Sequence, residues 1–495
     1  MALTTTPNKA APRTALLLGH SGHGDSRVQR TCMALMDAGM DVRLFTLRRS
    51  KEAMQSKKSD LNHIAVRAVE LEEGLLYPPP LSYLRNIRRK YFTENIEPST
   101  IPNPNKKKPL EGEISDRNLS FIHKIARSLS ALFWHQAVAK SMFDEVSRFD
   151  PDVIFANDLS MLGAGVIISG EIGARIIYDA HEFEQDRNGV EETVAEYIRR
   201  LWEGRLILHA DAVITVGEAI AARLSKLYGI SKPTVVLNIP NDSLPDERLS
   251  RSAIGMPENA YVVLYVGTLA VGRGVEVMID ALPEAILQIP DIYFAVAGPS
   301  TLTRWEALHK QAYRLGVADR LIKIEAVPEN QVTGLISLAD VSVIPTLPSC
   351  ESYRLGLPNK LFKSLRSGTP VVATPLPEVA TILKKYGGGV VTTGYGPADL
   401  LDGIMKGKED ARLSNLPNNY SAKEGARRIT VLVKALALRV TPPDALSYDF
   451  DISALHASYW RPVEKGLKVF FARFIVSLVK VKKSQKNNSI ESLKS

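Results

Sequence analysis

The sequence predicts an α/β protein made of two Rossmann-like, doubly wound domains, and three observations predict it. The chain has 495 residues, too many for one hydrophobic core, so two domains of about 200 residues are the default. A short apolar strand, Thr14 to Leu18, runs into a loop holding Gly19, Gly22 and Gly24. A helix with Val28, Cys32, Leu35 and Met36 on its apolar face follows, then a strand with Val42, Leu44 and Phe45. Strand, glycine loop, helix, strand is how a doubly wound sheet opens. The same alternation restarts at Tyr261, with a buried strand at Val262 to Val266, a loop holding Gly267, Gly272, Arg273 and Gly274, and a helix at Val275 to Leu287.

The remaining elements follow in order. His63 to Val69 reads as a third strand, Phe121 to Phe149 as a long helix and Asp152 to Ala156 as a strand with Asn157-Asp158 at its carboxyl end. Gly163 to Ile172 reads as a helix, and Arg175 to Tyr178 as a strand ending in Asp179-Ala180-His181-Glu182. Glu191 to His209 is a charged helix, Ala212 to Val216 a strand, and Thr234 to Leu237 the last strand of this half. In the second half, strands are expected at Ile292 to Ala297, Leu321 to Ile324, Asp340 to Pro345 and Val390-Val391, with a helix at Trp305 to Leu315. The expected domains are 14–238 and 239–440, after a disordered N-terminus at 1–13 and before a helix and basic tail at 441–495.

Composition narrows the partners. Forty-five per cent hydrophobic and 23 per cent charged residues suit a globular protein. Cys32 and Cys350 are the two cysteines, which suits a reducing compartment and provides no metal cluster. The formal net charge of +8 suggests a polyanionic partner. The first residues lack the pattern of a signal peptide, and no stretch has the length of a spanning helix, so a cytoplasmic protein is expected. Two segments gather the basic residues. An insert at 77–118 carries Arg85, Arg88, Arg89 and Lys90, then Lys106, Lys107 and Lys108, and its Tyr83, Leu84, Ile87, Tyr91 and Phe92 fit an amphipathic helix or a solvated loop. The tail carries Lys480, Lys482, Lys483 and Lys486 beside the apolar run Phe474 to Val481. Either can lie on an anionic membrane surface. Nucleic acid is not an expected partner, because the charge is not spread over one domain face.

The stretch from Pro348 to Val372 carries the most chemistry. A polar loop with Cys350, Glu351, Ser352 and Tyr353 ends at Gly356 and Leu357. Pro358 starts a helix with Leu361, Phe362 and Leu365 at helical spacing, Gly368 stops it, and Val371-Val372-Ala373 is a strand. Free N–H groups at the helix start, with Lys360 and Lys363 in its first turns, suit a phosphate. One more sheet helix with lysines on its wet face fits the same residues. Two glycines and Arg273 at the turn after Val266 can likewise hold a pyrophosphate or form only a surface loop.

The run PNKLFKSLRSGTPVVA, Pro358 to Ala373, resembles the donor-sugar motif of the family 4 glycosyltransferases. Tyr178-Asp179-Ala180-His181-Glu182 resembles that family's YDxHE signature, Asp25 and Arg27 fit its DxR, and Asn238 to Asp242 stands where its hinge motif does. Arg273 matches the second cation of its GRLxxxKG, with Thr268 in place of the first. Tyr459-Trp460 with Val463 and Leu467 is similar to the closing helix that crosses back over the first domain.

The resemblance implies the GT-B architecture, two Rossmann-like domains facing across a cleft. It also implies a retaining, metal-independent transferase that needs no cofactor and moves a sugar from a nucleotide-diphosphate sugar to a glycan or lipid-linked acceptor. That role belongs to polysaccharide or glycoconjugate biosynthesis at the inner face of the cell membrane. It makes His181, Arg273 and Lys360 the catalytic group. It puts the donor against Gly22, Gly272, Arg273, Val327, Glu351, Gly356, Leu357, Lys360 and Lys363, and the acceptor against Asp25, Arg27, Asp158 and Glu182. The motif departs from the family at two positions: the helix glutamate that usually binds ribose falls on Lys363, and its partner glutamate falls on Leu355. A non-catalytic scaffold or a nucleotide-sugar 2-epimerase on the same fold therefore stay open.

Overall fold

The computed structural model describes residues 11–20, 25–48, 64–71, 116–188, 193–239, 249–409 and 414–440, with backbone alone at 48, 116–130, 132 and 409. The first half contains β1 (Arg13–Leu18), α1 (Ser26–Asp37), β2 (Asp41–Arg48), β3 (Ala65–Glu70), α2 (Asp116–Phe149), β4 (Val153–Asn157) and α3 (Asp158–Ile172). It continues with β5 (Arg175–Ala180), α4 (Val194–Leu206), β6 (Ala212–Thr215), α5 (Glu218–Tyr228) and β7 (Thr234–Val235). Its strands form a seven-stranded sheet in the order β3-β2-β1-β4-β5-β6-β7, and every pairing is parallel.

The second half contains β8 (Tyr261–Val266), α6 (Val275–Gln288), β9 (Ile292–Ala297), α7 (Leu302–Arg314), β10 (Leu321–Ile324), α8 (Val332–Ser337) and β11 (Val341–Ile344). After these come α9 (Glu351–Leu355), α10 (Asn359–Ser367), β12 (Val371–Ala373), α11 (Pro377–Tyr386), β13 (Gly389–Val391), α12 (Pro397–Glu409) and α13 (Ala422–Ala437). The order of the six-stranded sheet is β10-β9-β8-β11-β12-β13, again parallel throughout. In both sheets the strand order reverses beside the first strand, so ligand crevices are expected at the carboxyl ends of β1 and β4 and of β8 and β11.

The strands are apolar on both faces because helices cover both. Val262, Val263, Leu264 and Tyr265 of β8 are all fully buried, as a parallel sheet requires. Gly368 leaves α10 at φ 74°, the left-handed turn expected of a C-terminal glycine. Leu361, Phe362 and Leu365 of α10 pack with Ala221, Val235 and Leu237 from the first half and with Val371 and Val379 from the second. The motif helix is thus wedged where the two halves meet.

Several expectations shift. β1 starts at Arg13, inside the span read as a disordered N-terminus, and α2 starts at Asp116, inside the span read as the basic insert. Cys350 to Tyr353 is not a loop: Glu351 to Leu355 make a short helix, with Cys350 Sγ accepting the Tyr353 amide at 3.4 Å. The helix α13 returns to the first sheet. Its Ile429, Leu432, Val433 and Leu436 share a core with Leu16, Val28, Cys32 and Leu35, and Arg428 Nη1 donates to the Val235 carbonyl at 3.1 Å. The crossing expected of Tyr459 and Trp460 lies outside the described residues, as do the basic tail and nearly all of the basic insert. Among the described residues no helix is long and apolar enough to cross a membrane.

Because α13 completes the first core, Leu432→Ala is expected to cost about 2–5 kcal/mol and to speed hydrogen exchange in α1. Faster exchange confined to α13 would show that the crossing adds nothing to the first domain.

Candidate functional site

The first half-site starts from Arg27, in the first turn of α1. Its guanidinium makes a two-pronged pair with Asp179 at the end of β5, Nε to Oδ2 at 3.0 Å and Nη2 to Oδ1 at 2.7 Å, and Nη1 donates to the Val236 carbonyl at 2.8 Å. Both side chains are buried. An ion pair removed from water must be well hydrogen-bonded to survive, and this one is. Asp179 Oδ2 also lies 3.2 Å from His181 Nε2. The other ring nitrogen, Nδ1, lies 3.4 Å from Asp158 Oδ1. Burial works against a charged imidazole, but the carboxylates of Asp179 and Asp158 outweigh it and push His181 up to about 9. Burial also works to raise Asp179, and the charges of Arg27 and His181 hold it well below the usual carboxylate range instead. His181 is therefore an imidazolium at neutral pH.

Asp158 begins α3 at φ 61°, a left-handed conformation uncommon for a residue with a side chain. Strain of that kind gathers at functional sites. Asp25 caps α1, with Oδ1 accepting the Val28 amide at 3.1 Å, and its Oδ2 lies 3.4 Å from His20 Nε2.

The second half-site is cationic. Lys360, in the first turn of α10, is 8 % exposed. Its Nζ lies 3.8 Å from the centre of the Tyr265 ring, and it has no hydrogen-bonding partner among the described residues. Tyr265 is fixed in turn, its hydroxyl donating to the Thr268 carbonyl at 2.8 Å. Burial, and next the charge of Arg273, hold the Lys360 ammonium well below its ordinary value. The Arg273 guanidinium stacks 4.2 Å from the centre of the Tyr353 ring. No side chain caps the start of α10, so its amides add to the same positive field. The loop that carries Arg273 needs its glycines: Gly274 has φ 80°, and a Cβ there would lie 1.8 Å from the Pro345 carbonyl oxygen. The arrangement attracts an anion with two centres of charge.

The chain after His181 joins the halves. Asp186 Oδ2 accepts the Glu351 amide at 3.0 Å and its carbonyl accepts the Ser352 amide at 3.0 Å. Asn188 Nδ2 donates to the Val271 carbonyl at 2.9 Å, and Ser349 Oγ donates to Asn188 Oδ1 at 3.1 Å. One segment thus runs from the imidazolium to the rim of the cationic site.

Comparison with known proteins decides the family. A model described as "Glycosyl transferase 4-like domain" matches residues 24–242, and one described as "Glycosyl transferases group 1" matches residues 260–409. The chain belongs to the family 4-like glycosyltransferases. Among curated proteins it is similar to D-inositol 3-phosphate glycosyltransferase 2 of Catenulispora acidiphila, with 29 % identity over 213 residues, 41 % of this chain and 48 % of the relative. The chain spans about half the length of the curated relatives it matches. Among solved structures it resembles sucrose-phosphate synthase from Thermosynechococcus elongatus, with a TM-score of 0.58 and 16 % identity, covering 86 % of this chain and 97 % of that one. It also resembles Anabaena Alr3699/HepE in complex with UDP, with a TM-score of 0.53 and 15 % identity, covering 86 % and 98 %. These structures share the GT-B fold.

The glycosyltransferase family motifs bring some expected residues together and not others. Lys360, Arg273 and Gly272 meet in one half-site, and His181, Asp158 and Asp25 in the other. Arg27 is corrected: all three of its donating groups are taken inside the protein, so it positions Asp179 and does not face an acceptor. Glu351 is held by Arg354, with its two oxygens accepting at 2.9 and 2.7 Å. Leu357 is a core residue and Val327 packs beside the second core, so their side chains carry no chemistry. Gly356 closes α9, its amide donating to the Tyr353 carbonyl at 3.3 Å. Glu182 accepts from Arg187 Nε at 3.1 Å. Lys363 donates to Glu329 Oε1 at 2.7 Å. Gly22 lies outside the described residues. Residues missed by sequence reading are Asp179, Tyr265, Tyr353, Asp186, Asn188 and Glu329. Of these, Asp179 stood in the quoted YDAHE run, Tyr353 in the polar loop before α10 and Glu329 beside Val327 in the turn that the resemblance sets against the nucleotide base, while Tyr265, Asp186 and Asn188 carry no local signal.

The raised His181 value gives a pH dependence. Its interactions with Asp158 and Asp179 stabilise the fold fully below the unfolded histidine value near 6.5 and are lost as pH rises through about 9. The melting-temperature gap between the native protein and His181→Asn should be widest near about pH 6 and shrink as pH rises from there to about 9. A gap that does not change with pH would contradict an imidazolium at this position.

Proposed function

We propose that this chain is a retaining glycosyltransferase that moves a sugar from a nucleotide-diphosphate sugar to a hydroxyl of a glycan or lipid-linked acceptor. The observation that carries the reading is the buried, unpartnered Lys360 ammonium beside Arg273 at the uncapped start of α10. Leaving-group departure breaks the bond between the sugar C1 and a diphosphate oxygen, and negative charge grows on that oxygen. Arg273, Lys360 and the α10 amides are fixed where such charge would be stabilised, without reorganisation at the moment of reaction. No metal or cofactor is assigned a role in the proposal. His181, held as an imidazolium by Asp158 and Asp179, is the group of the facing half that would meet the donor sugar or its phosphate, and Asp25, Asp158 and Glu182 line the acceptor side. The UDP bound by the structural relative Alr3699/HepE favours UDP as the first nucleotide to try.

The acceptor class and a peripheral place at an anionic membrane in glycoconjugate assembly rest on the basic residues of the sequence alone. The scaffold reading draws on one observation: neither expected glutamate is present, and Leu355, at one of the two positions, is a fully buried apolar residue.

A thermal-shift and calorimetric panel of UDP, GDP and their sugar conjugates tests the reading. One nucleotide should bind, its sugar conjugate should be slowly hydrolysed, and Arg273→Ala and Lys360→Met should each weaken binding by about tenfold or more. Silence across the panel would favour the scaffold, and unchanged affinity in both variants would remove the diphosphate assignment.

A further inference from the structure

We infer that Glu329, held by Lys363, is the carboxylate that receives the ribose hydroxyls of the bound nucleotide, so that the acid missing from α10 is supplied by the turn before α8. The inference rests on the diphosphate reading of Lys360 and Arg273 given above.

Three observations carry it. First, Lys363 is a buried lysine whose ammonium is tied to one atom outside its helix, Glu329 Oε1 at 2.7 Å. The lysine side chain is 6 % exposed and the glutamate 53 %. An ordinary surface ion pair contributes little and rarely takes a lysine out of water. Here the lysine is buried and the carboxylate is left accessible, which is the arrangement for presenting an acid to a ligand.

Second, the pair lies next to the diphosphate site. Lys360 and Lys363 are three residues apart on α10, so they share a face about one turn apart. A ligand whose phosphates meet Lys360 has its next group near Lys363 and Glu329. In a nucleoside diphosphate that group is the ribose, and an acidic side chain past the strand ends is the usual partner of ribose hydroxyls in doubly wound folds. An ionised carboxylate only accepts hydrogen bonds, and a vicinal diol donates two.

Third, the pair faces the other half of the protein. Arg30 of α1 bonds Asn238, and Glu329 is the strongest of the charges acting on its guanidinium. Arg30 also acts on Lys363. Glu329 is therefore within electrostatic reach of α1 in the first half, with its side chain 53 % exposed.

The test is calorimetry on the full chain with UDP, GDP, the 2′-deoxy form of each, and pyrophosphate. The native protein should prefer the ribonucleotide to its 2′-deoxy form by about tenfold. Glu329→Gln should lose that preference while binding pyrophosphate as tightly as the native protein does. The exchanged variant Glu329→Lys with Lys363→Glu should regain the preference that Glu329→Lys alone loses. A preference that persists in Glu329→Gln would overturn the assignment. So would an exchanged variant that recovers its melting temperature without the preference, because the pair would then be structural only. If pyrophosphate and every nucleotide fail to bind the native protein, the diphosphate reading falls and takes this one with it. If pyrophosphate binds without any ribose preference, only the Glu329 assignment falls.

Discussion

The second half of the protein is organised around one buried amine, that of Lys360, which has no hydrogen-bonding partner among the described residues. Removing an ammonium from water costs several kcal/mol. The Tyr265 ring, 3.8 Å away, offsets at most about 2 kcal/mol of that, and no hydrogen bond to the nitrogen helps. Arg273 adds a second positive charge and makes matters worse. A fold tolerates such a group when a ligand completes it. The glycine turn at Gly272 to Gly274, the ring of Tyr353 under Arg273 and the uncapped start of α10 all fit that explanation, since each leaves positive charge facing one place.

The first half uses the opposite strategy. Its charges are compensated before any ligand arrives: Arg27 with Asp179, and His181 between Asp179 and Asp158. The result is a fixed imidazolium whose orientation is set by two carboxylates, one of which is itself set by a buried arginine. The two halves are joined by α13, by the packing of α10 against Val235 and Leu237, and by the Asp186 to Asn188 segment on the rim of the cationic site. Glu378 of α11 adds a further tie, accepting the Ala219 amide at the start of α5. The segment that follows His181 and the rim of the cationic site are therefore tied by the same hydrogen bonds.

The architecture was legible because it follows from periodicity. Buried strands such as Tyr261–Val266 and Ile292–Ala297 announce themselves as apolar runs ended by glycine, and Gly368 marks its own helix end. Lys360, Arg273 and His181 were legible through short motifs with a chemical rationale. What sequence reading placed wrongly or missed depends on partners far along the chain. Arg27 looked like an acceptor-facing residue because its partner, Asp179, is 152 residues away. The partner of Lys363 was not legible, because Glu329 lies 34 residues earlier in the chain. The hold of Arg354 on Glu351 depends on a short helix where a loop was expected. The crossing expected of Tyr459 and Trp460 lies outside the described residues, and among the described residues α13 crosses with Ile429, Leu432, Val433 and Leu436.

The most direct test of the account asks whether a diphosphate reaches Lys360. In the free protein the ammonium is held well below its ordinary value by burial and by Arg273, and a bound diphosphate would raise it toward the ordinary lysine range. Binding should therefore take up a proton at pH values between the two. Calorimetric titration with UDP or GDP, in buffers of different ionisation enthalpy at several pH values below the ordinary lysine value of about 10.4, measures this directly. The account predicts net proton uptake that disappears in Lys360→Met. Binding without uptake, or with the same uptake in that variant, would contradict it.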